Sequence, residues 1–423
     1  MSTVLLIGCS FGFWFYSVCV EVYIIPLFFL LAALFILVKT PLRIKDLFWV
    51  GVIHGIGILF FQAHVLFTFA VFARIFFTKE TEFSSKWKAL FTYLIPASGI
   101  AIIGYLLVIL FDVQAHTLDA ALYWLSSYAH DMAQCWNVPS FHSLVKAVIG
   151  FSHSFIGGHF LFGIPGFEAR FTKALGDQHE FHDEAFLVHT ASPMLSILLL
   201  ILTICLVGCI LFIFIKSIPS IKKIYVAQRS QILPILVFLL VYCIFFFVWD
   251  PSNLEFWIPQ SVLCWLLFDR ILAYRRLARS TKIFRIALPL LLVTINFFGS
   301  ILYLHHESDD YFYVLSTAAA KETSANDIII TDQPWIEEEY YKRFTKTSVF
   351  TPQEVERSDS KKKIFAAGVH STLISGGKIW LSFPIESMSF SFKPLWEQSI
   401  ASIPLQQTQK VVADKNFIVI SKK

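Results

Sequence analysis

Three stretches of this sequence set polar and ionisable side chains among apolar ones, where such groups are costly to keep and tend to mark function. The first is Ser10-Phe11-Gly12-Phe13-Trp14-Phe15-Tyr16-Ser17, followed by Glu21-Val22-Tyr23. Glu21 opens an apolar run with no charged neighbour in sequence. It reads either as an interfacial carboxylate paired with a Trp or Tyr belt, or as a partly desolvated carboxylate suited to general-base work or to holding a substrate hydroxyl. The second stretch is Trp249-Asp250-Pro251-Ser252-Asn253-Leu254-Glu255-Phe256-Trp257-Ile258-Pro259. Asp250 and Glu255 are there either the polar part of a turn joining two helices or candidate catalytic carboxylates. The frame of Trp249, Phe256 and Trp257 fits an interfacial belt and a sugar-stacking wall equally. The third stretch combines His54 with Gln62 and His64.

Eight of the 13 histidines lie between positions 112 and 190. In His179-Glu180-Phe181-His182-Asp183-Glu184, two imidazoles stand three residues apart beside carboxylates such as Asp183, a set able to hold a divalent ion. A solvated polar loop accounts for the same residues. Gly157-Gly158-His159, inside the apolar run from Val148 to Phe167, reads as a re-entrant or interfacial element. Lys146, Arg170 and Lys173 are the basic residues flanking it, placed to meet an anionic lipid headgroup. No CxxC, zinc-ligand or phosphate-cradle pattern accompanies these residues, and the seven cysteines sit mostly in apolar runs, which argues against a disulfide framework.

The elements that position these residues follow from composition. Of 423 residues, 56% are hydrophobic and 15% charged, and 45 are Phe. A soluble domain would normally carry about 25% charge, and this much apolar surface excludes both a soluble enzyme and a disordered chain. The net charge of +4, without a basic tail or stripe, does not suit nucleic acid. Candidate spans run roughly over 3–16, 21–38, 47–61, 65–77, 90–111, 191–215, 232–249, 256–272 and 284–304, about nine in all. The segments 39–46, 74–88, 216–229 and 270–285 hold 17 basic residues, whereas 112–190 holds three against eight acidic ones. The first set therefore faces the cytoplasm and the second the other side. The first span lacks a basic n-region and a small-residue cleavage site, so it should be retained, and the lack of an N-x-S/T sequon favours a bacterial inner membrane.

The expected architecture is thus a mainly α, polytopic helix bundle over residues 1–304, including an extracytoplasmic loop at 112–190, with a small extracytoplasmic α/β domain over 305–423. In that tail, helices are expected near 309–322, 337–344 and 353–374, and strands near 327–331, 348–350, 379–383 and 410–420.

Ser-x-x-Phe-Trp-x-Tyr-Ser with the following Glu21-x-Tyr23, the Gly-rich span His54–His64, and Asn253-x-Glu255-Phe256-Trp257-x-Pro259 resemble bacterial members of the C-type (GT-C) membrane glycosyltransferase superfamily. They are most similar to the relatives of protein O-mannosyltransferases whose function is unassigned. The resemblance covers roughly residues 5–75 and 190–305. It implies transfer of a sugar from a polyprenyl-phosphate donor in the membrane lipid to a glycan, lipid or protein acceptor on the extracytoplasmic face. A carboxylate would activate the acceptor, and basic groups or a divalent metal ion would steady the leaving phosphate. Carried over, Glu21 and Tyr23 match the Glu-x-Tyr element, and Asn253, Glu255 and Trp257 match the turn. Trp14, Tyr16, His64, Lys146 and Arg170 join them as expected substrate contacts. One departure stands out: the superfamily's main catalytic acid sits in a first extracytoplasmic loop, and no acidic loop precedes Ser10. The sequence then describes either an N-terminally shortened copy of such an enzyme or a non-catalytic relative that lacks the usual base, Glu21 substituting only where geometry allows. Competing classes are a transporter or lipid-handling protein, for which no internal repeat is evident, and a surface-polysaccharide polymerase or ligase, for which the 112–190 loop has few basic residues.

Overall fold

The computed structural model describes residues 2–18, 23–78, 85–112, 117–131, 136–175, 191–274, 279–303, 310–332, 336–356, 359–389, 392–401, 403–413 and 415–423. The chain divides into two compact units, Met1–Leu302 and Tyr303–Lys423.

The first unit is helical. Its elements are α1 (Ser2–Gly8), α2 (Phe11–Val18), α3 (Ile24–Leu37), α4 (Ile44–Phe60), a 3-10 turn (Gln62–Phe67) leading into α5 (Thr68–Phe77), α6 (Lys86–Leu107), α7 (Leu118–Asp131), α8 (Phe141–His153), a 3-10 turn (Gly158–Gly163), α9 (Phe167–Leu175), α10 (Pro193–Ala227), α11 (Arg229–Val248), a 3-10 turn (Leu254–Trp257), α12 (Ile258–Tyr274) and α13 (Arg279–Asn296), which ends in a π-turn (Phe297–Ile301). Among the described residues, five helical stretches are long and apolar enough to cross a membrane: Lys86–Phe111, Pro193–Ala227, Arg229–Val248, Leu254–Ala273 and Ile283–Ile301. The other expected spans take shorter forms. The run at 3–16 is broken into α1 and α2, α3 has 14 residues, and α4 has 17. The break has a tertiary cause: the Phe11 and Gly12 amides leave the helical ladder and donate to the carbonyls of Phe155 and Ser154 at 3.1 Å each.

Close helix approach is written into α4. A Cβ on Gly51 would stand 2.3 Å from the Tyr93 carbonyl oxygen and one on Gly55 2.8 Å from that of Ala97, so only this small-residue pair admits α6. Around the contact, Leu30, Leu34, Leu37, Val50, Phe67, Val71, Phe238, Phe246 and Phe256 form one buried cluster. A second gathers Leu6, Phe160, Leu199, Trp265, Leu288 and Leu292.

The second unit is α/β. A five-stranded sheet runs β2 (Ser348–Phe350), β1 (Ile328–Ile330), β3 (Ile379–Leu381), β5 (Lys415–Lys422), β4 (Leu405–Val412). β1 pairs parallel with β2 and β3, and β5 antiparallel with β3 and β4. β1 and β3 are buried throughout, as strands covered on both faces should be. One face carries α17 (Asp359–Ile374) and α18 (Phe392–Ile400) on Ile328, Ile330, Ile379 and Leu381. The other carries α14 (Tyr311–Glu322) and α15 (Ile336–Phe344) on Ile329, Trp380, Phe417 and Val419, and the short α16 (Pro352–Glu356) precedes α17. The single strand expected at 410–420 is instead the β4–β5 hairpin, with Ala413 at φ 46° beside its turn. Neither the polar β4 nor α18 was legible in the apolar pattern.

Candidate functional site

Several of the expected site residues come together in the turn between α11 and α12. α11 ends at Val248. Asp250 then adopts φ 40°, the left-handed region that Asp and Asn tolerate better than most residues. Asn253 caps the 3-10 turn, its Oδ1 accepting from the Glu255 amide at 3.2 Å while its Nδ2 donates to Glu255 Oε1 at 2.9 Å. The second oxygen, Oε2, accepts from the Tyr16 hydroxyl of α2 at 3.3 Å. Residues 239 positions apart thus converge on one carboxylate. Asp250 Oδ1 accepts from Ser252 Oγ at 3.4 Å, and Trp257 Nε1 donates to the Pro251 carbonyl at 2.9 Å, which commits that indole to holding the turn.

Aromatic rings wall this carboxylate. Tyr23 meets Tyr16 edge-on at 5.6 Å, Phe61 at 5.7 Å and Phe256 at 6.0 Å, while Phe246 and Phe256 stack at 4.9 Å. Trp249 is capped by Trp136 at 4.7 Å, and the two residues form an isolated β-bridge. From the opposite side α8 presses on the turn at Gly150, where a Cβ would lie 2.7 Å from the carbonyls of Pro251 and Ser252. Lys146 stands one turn earlier on the same face of α8 and is half-buried. Trp14 is half-buried on α2, and Arg170 is exposed on α9.

His64 lies behind the aromatic wall, edge-on to Phe61 at 5.1 Å, with its Nδ1 2.9 Å from the Tyr242 hydroxyl. His54 bonds to the His64 carbonyl through Nε2 at 2.8 Å and to Tyr93 through Nδ1 at 2.7 Å. Glu21, His179, His182 and Asp183 lie outside the described residues. Among the described residues, no group of three or more His, Cys, Asp or Glu is placed to hold a metal ion.

Next to the turn is a junction of interrupted helices. The α1–α2 break faces the turn Ser154–Gly157, and both face the end of α13. Asn296 Nδ2 donates to the carbonyls of Cys9 at 2.6 Å and Phe155 at 2.9 Å, and its Oδ1 accepts from the Gly157 amide at 3.0 Å. His159 Nδ1 lies 2.8 Å from Ser300 Oγ in the π-turn. Phe11, His153 and His159 form a triangle of rings with centroids 5.0 to 5.1 Å apart. The Gly157-Gly158-His159 segment thus bends back among helices, where its backbone groups find partners inside the protein. Asn296, Ser300, Tyr93 and Tyr242 were missed by sequence reasoning. For Asn296 a signal existed, since it is an amide in the middle of an apolar run.

No protein-family model matches the chain, and neither does any curated protein or solved structure.

Proposed function

We propose that the chain is a membrane enzyme of the GT-C class that moves a sugar from a polyprenyl-phosphate donor to an extracytoplasmic acceptor, with Glu255 as its working carboxylate. One observation carries this reading: the Glu255 carboxylate, anchored on one oxygen by Asn253 and on the other by Tyr16, is set among the rings of Tyr16, Tyr23 and Phe256 in the turn between two helices able to cross a membrane. Hydrogen bonds to both oxygens fix the direction of the carboxylate, as a base for an acceptor hydroxyl requires. The rings offer faces on which a sugar can stack. In this reading the five long helices are joined by Ser2–Val18, Ile24–Leu37, Ile44–Phe60 and Gln62–Phe77 to give nine crossings of a bacterial inner membrane, with the C-terminal unit outside. Lys146 and Arg170 serve the lipid phosphate.

The test compares Glu255→Gln with wild type in membranes given radiolabelled polyprenyl-phosphate hexoses. Wild type should transfer label to an acceptor above the host background, and Glu255→Gln should lose about 100-fold or more of that rate, the usual weight of a general base. Full transfer by Glu255→Gln would overturn the assignment. A second reading, a transporter of lipid-linked sugar, is favoured by the junction of interrupted helices at Cys9–Ser10, Ser154–Gly157 and the π-turn, an arrangement common at transport sites. It expects proteoliposomes to move the labelled lipid between leaflets, with Glu255→Gln unimpaired and no label transferred.

A further inference from the structure

The longest helix, α10, spans 35 residues from Pro193 to Ala227. At 1.5 Å per residue it is about 52 Å long, well beyond a hydrocarbon core of about 30 Å, so its far end runs into the headgroup layer. Its face Val207, Leu211, Ile215, Ile218 steps by four, four and three residues and is exposed by 44, 52, 60 and 53%. This apolar stripe covers about 17 Å, close to one leaflet, and the next positions on the face are Lys222, itself exposed, and Val226. Beside them is a hollow of about 390 Å³ lined by Lys222, Lys223, Val226 and Ala227.

Several other basic residues of this unit are engaged. Arg74 is buried and donates to the carbonyls of Leu37 and Lys39, Lys86 donates to that of Phe76, and Lys39 and Lys216 lie over the Phe35 and Phe212 rings. Lys222 and Lys223 are adjacent, exposed and, among the described residues, without a carboxylate partner.

We propose that this face of α10 seats one anionic phospholipid, its acyl chain along Val207–Ile218 and its phosphate between Lys222 and Lys223. Two adjacent cations with no acid beside them repel the ammonium of a zwitterionic headgroup and favour a headgroup with net negative charge. The inference depends on the membrane location of α10 and not on the role of Glu255.

The test uses the full chain in neutral detergent, titrated with phosphatidylglycerol or phosphatidylcholine of the same acyl chains and followed by native mass spectrometry. Wild type should retain phosphatidylglycerol at least tenfold more tightly, because each lysine contributes about fivefold at low salt. Lys222→Gln with Lys223→Gln should abolish the preference, Lys222→Arg with Lys223→Arg should keep it, and Lys88→Gln should leave it unchanged. An equal preference in the double glutamine variant, no preference in wild type, or displacement of the lipid by millimolar inorganic phosphate would each overturn the proposal.

Discussion

A single carbonyl determines what the buried histidines can do. The His64 carbonyl oxygen only accepts, so His54 Nε2, 2.8 Å away, carries the hydrogen and Nδ1 is the acceptor. Tyr93 must then donate to His54 at 2.7 Å and accept from Thr68 Oγ1 at 3.0 Å. The chain has a fixed direction and stops at backbone, which makes it a brace across α4, α5 and α6. Tyr93→Phe leaves Nδ1 of a fully buried imidazole unpaired. The expected loss is about 1–3 kcal/mol, read as a lower melting temperature of the purified protein in detergent, and an unchanged melt would refute the brace. The same logic separates Glu255 from Trp257: the first is tied by side chains from two elements, the second to the backbone of its own turn.

Among the elements, α4 and α6 illustrate how small residues decide helix approach. Gly51 faces the Tyr93 carbonyl at a distance no side chain allows, whereas Gly99 on α6 has nothing within 4 Å of its would-be Cβ. Gly51→Ala should therefore force the helices apart at a cost of about 1–3 kcal/mol. Gly99→Ala should be neutral or stabilising by up to about 1 kcal/mol, since alanine restricts the unfolded chain and favours helix. Paired melts of the two variants decide the matter, and a similar loss in both would show that helix propensity and not contact governs. At the junction of interrupted helices, one asparagine, Asn296, serves backbone groups of two broken elements at once. Such breaks are tolerable within a membrane only where partners of this kind are supplied.

At the scale of the molecule, the C-terminal unit carries its own pH limits. Tyr341 is fully buried, and burial, with the neighbouring Glu337 carboxylate, pushes its phenol well above the usual value of 10.0. A group raised in the folded state contributes stability below its unfolded value and loses it as pH rises, because the unfolded phenol ionises while the buried one stays neutral. The unit should therefore weaken above about pH 10. Tyr341→Phe should remove that alkaline dependence, as hydrogen exchange of β1 and β3 would reveal, and an unchanged alkaline loss would count against Tyr341. At the other end, the hydrogen bond from Lys361 holds the Glu354 carboxyl below its ordinary range, a contribution present above about pH 4.3 and lost as pH falls.

The amino-acid sequence alone settled what depends on local composition. Apolar runs marked helices suited to lipid, the change in composition after about residue 304 marked a unit of a different kind, and Asn253-x-Glu255 marked a capped turn, because capping and hydropathy act over a few residues. It also located His54, His64 and the Gly157-Gly158-His159 segment as anomalies without saying what they touch. Only the tertiary structure brought Tyr16 to Glu255 across 239 positions, set His64 behind an aromatic wall, split the first apolar run at Cys9–Ser10 and gave Asn296 its three backbone partners. These are long-range pairings, in which each partner looks ordinary in its own stretch of chain. Their energies come from satisfying polar groups that helix packing takes partly or wholly out of water, so they are decided when helices meet and not by the residues on either side.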